Sequence, residues 1–101
     1  MADTHEIDAL RRGMAAIEQA IGAGVHAAGC ALAASDFRWN SGRPILDCAD
    51  RVTLRIALGP YRSFEETFSR EQLTLALRDP TVQVFVAAAI NRLTQGAPPA
   101  G

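Results

Sequence analysis

Ile7, Leu10, Met14, Ile17, Ile21, Gly24, Ala28 and Ala31 follow one another at spacings of 3, 4, 3, 4, 3, 4 and 3. A strand cannot gather such a series on one side, because its side chains alternate every second residue. A helix aligns it along one seam. The chain therefore opens with a long helix, with Thr4 suited to capping it and Glu6 and Asp8 suited to the positive end of its dipole. The seam changes character midway. Large side chains fill the first half, whereas Gly24, Ala28 and Ala31 occupy the second. Gly22, Ala23, Ala27, Gly29 and Ala33 make the opposite side small as well. Each interior glycine costs about 0.8–1 kcal/mol against alanine, so tight packing has to compensate. A break near Gly22–Gly24, giving a helical pair, is the alternative. A seam this long, with room for close backbone approach, points to homodimerisation through Met14, Ile17, Ile21, Gly24 and Ala28.

The middle of the chain reads differently. Val52, Leu54, Ile56 and Leu58 alternate with Thr53, Arg55 and Ala57, the pattern of a strand with one wet face. Gly59-Pro60 marks a turn. Arg62 to Phe68 alternates again, with Phe64, Glu66 and Phe68 on one side and Ser63, Glu65 and Thr67 on the other. An antiparallel hairpin follows, able to pair Arg55 with Glu65. Glu66 lies between two phenylalanines. It needs a partner such as an arginine if that face is core; otherwise the phenylalanines are exposed and mark an interface. Before the hairpin, Asn40, Ser41 and Gly42 are turn formers, so Ser35–Pro44 reads as a short hairpin or an ordered loop, and Ile45–Cys48 suits a short strand.

Two capping signals follow. Ser69 with Gln72 is a capping box opening a short helix through Leu73, Ala76 and Leu77. Asp79-Pro80 opens a second, with Val82, Phe85, Val86, Ala89, Ile90 and Leu93 as its apolar stripe and Gly96 at its end. Val82, Val84 and Val86 also fit a strand at its start. The expected architecture is α+β: a long N-terminal helix or helical pair, a small antiparallel sheet, and two C-terminal helices on one sheet face. Residues 1–96 are expected to form a single domain and 97–101 a flexible Pro/Gly tail.

Chemistry-bearing motifs are weak. Gly22, Gly24 and Gly29 give G-x-G-x(4)-G, the wrong spacing for dinucleotide binding and within a helical pattern. His26 and Cys30, four apart, share a face if that stretch is helical, and Cys48 is a third possible metal or thiol group. A zinc site normally needs a second close pair, and a Cys–His nucleophile needs an orienting third group and an oxyanion hole. Neither is visible, so a structural role for His26, Cys30 and Cys48 is expected, with no metal and no cofactor. All ten basic residues are arginine, as a GC-rich bacterial genome would favour. No lysine is available for a Schiff base or a P-loop. Glu65 and Glu66 are adjacent and so point to opposite faces; they form no acid/base dyad.

The remaining feature is Phe37-Arg38-Trp39-Asn40 with Arg43, residue types that anchor interfaces. With Arg55, these are the expected partner-binding residues: Phe37, Arg38, Trp39, Arg43 and Arg55. Trp39 reads either as a core tryptophan beside a surface arginine or as a loop residue important for binding and of small weight in stability; the second is the expectation. Arg38, Arg43, Arg51, Arg55 and Arg62 could line one sheet face. Interleaved carboxylates and a net charge of −1 argue against a nucleic-acid stripe. The expectation is a non-catalytic protein–protein interaction module, an accessory, regulatory or inhibitor-like protein of bacterial or mobile-element type. The rival readings are a nucleic-acid-associated regulator using the arginines between 38 and 62, and a metal- or thiol-dependent enzyme. An acidic start without a signal-peptide pattern, and no long apolar run, lead to an expected cytoplasmic location without membrane partners.

Overall fold

The computed structural model describes residues 4–42, 51–59 and 62–94. Helix α1 spans Thr4–Ala27 without a break, so the helical-pair alternative does not apply. A 3-10 turn at Ala34–Asp36 leads into β1, Phe37–Trp39, and another at Asn40–Gly42 leaves it. Strands β2 (Arg51–Leu58) and β3 (Arg62–Ser69) follow, then α2 (Arg70–Leu75), a 3-10 turn at Ala76–Arg78, and α3 (Pro80–Thr94). The strands form one antiparallel sheet in the order β1-β2-β3. The arrangement is the expected α+β fold. Arg43, the expected strand at 45–48, Cys48 and the tail 97–101 lie outside the described residues.

The N-caps of α2 and α3 both form as their residues dictate. Ser69 Oγ accepts from the Gln72 amide at 3.1 Å and the Gln72 side chain accepts from the Ser69 amide at 2.8 Å. Asp79 Oδ1 accepts from the amides of Thr81 (2.8 Å) and Val82 (3.1 Å), with Pro80 first in α3. The start of α3 is helical rather than extended: Val82 and Val86 are buried, whereas Val84 stands 64% exposed.

The end of α1 corrects the sequence reading. Gly29, at φ +88°, donates to the His26 carbonyl at 2.9 Å, and Cys30 donates to the Val25 carbonyl at 3.1 Å. That pair of bonds closes a helix with glycine in the left-handed region. Ala28 and Ala31 therefore lie beyond α1 and are exposed. His26 and Cys30 do not share a helical face.

One core joins the inner sheet face to the three helices. Val52, Leu54, Ile56 and Phe68 meet Leu10, Ile17, Ile21 and Val25 of α1, Leu73 of α2, and Val82, Val86, Ala89 and Leu93 of α3. Burying each large side chain contributes roughly 1.5–3 kcal/mol. This packing redefines the α1 seam. Ile17 and Ile21 are buried within the chain, Met14 packs against the same core, and Gly24 lies where a Cβ would overlap the Ile90 side chain. The close approach that suggested a dimer is made to the chain's own α3. Among the described residues no single helix is long and apolar enough to cross a membrane.

Glu66 also finds a local answer. Phe68 is buried and Phe64 half-buried, so the face is core, and Glu66 Oε1 accepts from the Thr67 amide at 3.0 Å. Nearby, Arg92 Nε donates to the Ser63 carbonyl at 3.4 Å. Side chains thus occupy backbone groups along β3, the edge strand that would otherwise be open to further pairing.

Candidate functional site

The strand register sorts the expected partner-binding residues onto opposite sides of the sheet. Phe37 pairs with Ile56 and Trp39 with Leu54, so both aromatics share the inner face, while Arg38 pairs with Arg55 on the outer face. Phe37 and Trp39 are half-buried and packed against the core. The indole lies 5.9 Å from the Phe68 ring, centroid to centroid, and its Nε1 donates to Glu18 Oε1 of α1 at 2.8 Å. Trp39 is therefore carried on a strand rather than in a loop, and clamps the sheet to α1. Trp39→Ala is expected to lower unfolding free energy by about 2–3 kcal/mol, below the 3–5 of a fully buried aromatic. A chemical denaturation curve checks this; an unchanged midpoint would contradict the clamp.

The outer face is built by alternation. Arg51, Thr53, Arg55 and Ala57 of β2 stand opposite Ser69, Thr67, Glu65 and Ser63 of β3, with Arg38 of β1 completing the central row. Across that row run Arg38, Arg55 and Glu65. Arg55 Nε is 3.9 Å from Glu65 Oε2, with side chains 68% and 62% exposed, so solvent screens the pair and it contributes little. Arg38 has no ion-pair partner among the described residues and stands directly across from Arg55, a like-charge neighbour that costs stability. Thr53 and Thr67 place their hydroxyls 3.1 Å apart beside this row. Two shallow concavities, of about 230 and 260 Å³, share Arg38 and Arg55; Thr53 and Glu65 line one, Ser35, Asp36 and Ala57 the other. Asp36 accepts from the Ala33 amide at 2.8 Å.

No protein-family model, no curated protein and no solved structure matches the chain.

Of the five arginines expected on one face, Arg38, Arg51 and Arg55 are on it. Arg62 is not: its Nη1 reaches the Leu93 carbonyl at 3.4 Å and Cys30 Sγ at 3.8 Å, stapling β3 to the end of α3. Cys30 is half-buried at that staple and His26 is exposed on α1. Among the described residues no three His, Cys, Asp or Glu side chains gather as metal ligands. Two residues that the sequence reading passed over also stand out: Arg12 and Arg78, far apart in sequence, line one concavity. Their only sequence signal is charge, which does not distinguish them from other surface arginines.

Proposed function

We propose that this chain is a non-catalytic protein–protein interaction module that receives an acidic surface on the outer face of its sheet. The observation carrying this reading is the in-register placement of Arg38 beside Arg55 on a solvated face, with Arg51 on the same strand and a weakly held Glu65 as the row's carboxylate. Placing two guanidiniums side by side costs the free protein stability, and an incoming carboxylate relieves that cost while accepting bidentate hydrogen bonds. The surface is rigid strand rather than loop, so little ordering entropy is lost on docking. Arginine is also among the residues that dominate binding energy at interfaces.

A labelled oligoglutamate peptide, read by fluorescence anisotropy, tests the reading. Saturable binding that weakens with salt is expected. Arg38→Glu, which supplies Arg55 with a partner from within the chain, should weaken binding about tenfold or more while leaving the melting temperature the same or higher. An oligonucleotide of equal length serves as the second probe. Tighter binding of the oligonucleotide would replace this reading with a nucleic-acid-associated one, and peptide binding unaffected by Arg38→Glu would overturn it.

A further inference from the structure

On the side of the molecule where α1 meets α2, a concavity of about 370 Å³ is lined by Ala9, Arg12, Gly13, Thr74, Leu75, Ala76 and Arg78. That volume is at the small end of the range for small-molecule sites. Its composition is one-sided. Two arginines line it and no acidic residue does, and neither Arg12 nor Arg78 makes an ion pair with a described residue. Each guanidinium is tied to nearby helix backbone: Arg12 Nε donates to the Asp8 carbonyl and Arg78 Nε to the Leu75 carbonyl, both at 3.4 Å. Spending Nε on the backbone leaves the terminal Nη groups of both arginines to serve a ligand.

The backbone here has little freedom. Gly13 comes so close to the Leu73 carbonyl that no side chain fits, and the chain leaves α2 through Ala76 at φ +51°, ψ −125°, a conformation that alanine adopts at a cost. Beside the arginines, the lining is Ala9, Gly13, Leu75 and Ala76, which are apolar, and Thr74.

We propose that this concavity binds a small phosphorylated ligand, the phosphate held by Arg12 and Arg78 and the organic part lying against Ala9, Gly13, Leu75 and Ala76. Phosphate suits two arginines because it offers several acceptor oxygens and a charge near −2 to paired donors that no carboxylate neutralises. The concavity is larger than a bare phosphate fills, which favours a monoester over the free ion. This site is on a different part of the molecule from the outer sheet face, and neither reading depends on the other.

Thermal unfolding in the presence of glycerol phosphate, inorganic phosphate and sodium chloride at matched ionic strength provides the test. Glycerol phosphate should raise the melting temperature saturably above the chloride control, and at lower concentration than inorganic phosphate does. Arg12→Gln and Arg78→Gln should each weaken this response about tenfold or more, the usual effect of losing a charge-assisted hydrogen bond. Arg38→Gln should leave it intact. Both variants exchange exposed residues, so they are expected to fold; an amide NMR titration of each reads binding at Gly13 and Ala76 independently of melting. No saturable response beyond chloride, or one that survives both substitutions, would overturn the proposal. A response to inorganic phosphate equal to that for glycerol phosphate would refute the role given to the apolar wall.

Discussion

Gly13→Ala is expected to destabilise the protein by about 3 kcal/mol or more, the upper part of the range for overpacked sites. Gly13 is buried where α1 crosses the end of α2. A Cβ there would overlap the Leu73 carbonyl oxygen and come within 2.8 Å of the Leu73 carbonyl carbon. Those atoms belong to backbone pinned by the Ser69–Gln72 cap and by the buried Leu73 side chain, so they cannot rotate aside. Gly22→Ala provides the contrast. It lies in the same helix, nothing stands within 4 Å of its Cβ position, and the substitution should stabilise by about 1 kcal/mol through helix propensity alone. In a domain this small, a kilocalorie moves the melting temperature by about 4–8 °C, so circular dichroism melts separate the two. Similar effects at both positions would show that α1 does not contact α2 at Gly13.

Leu54→Asp is expected to unfold the domain, whereas Thr53→Asp, one residue away, should cost no more than about 1 kcal/mol. Leu54 is fully buried at the centre of the sheet, between Trp39 and Glu66 on the neighbouring strands. Aspartate there forfeits roughly 2–3 kcal/mol of apolar burial, adds the cost of desolvating a carboxylate, and sets that carboxylate beside Glu66. The sum exceeds 4–5 kcal/mol, close to the whole stability of many small domains. Thr53 faces outward and forfeits only the contact between its hydroxyl and that of Thr67. Urea titration followed by circular dichroism reads both; equal losses would mean that β2 is buried on both faces.

These contrasts show where the fold was legible in the sequence. The alternation from Val52 to Leu58, the register that pairs Arg55 with Glu65, and the caps at Ser69 and Asp79 are local patterns, and the structure has each of them. The end of α1 was also written locally, in Gly29, but the small residues continuing past it kept the helical period and hid the stop. The sequence leaves β1 undecided between a short hairpin and a loop, because three residues carry no period. Once β1 is a strand, parity alone sends Trp39 inward and Arg38 outward, to the face it was expected to share with Arg55, so the loop reading misplaced Trp39 alone. The partners that decide the rest are distant in sequence: Glu18 for Trp39 and Ile90 for Gly24, while Arg12 and Arg78 come to one concavity from separate helical segments. No spacing rule reaches them.

That parity makes the outer face the part of the molecule on which the functional reading stands. The most direct measurement is an NMR titration with the oligoglutamate peptide, following the Nε–H resonances of the arginines. The expected result is that Arg38 and Arg55 shift together and saturate, with the amides of Thr53, Glu65 and Thr67 moving alongside them, while Arg12, Arg78 and Arg92 stay in place. Shifts confined to Arg12 and Arg78, or spread evenly over every exposed arginine, would contradict a docking site on the sheet.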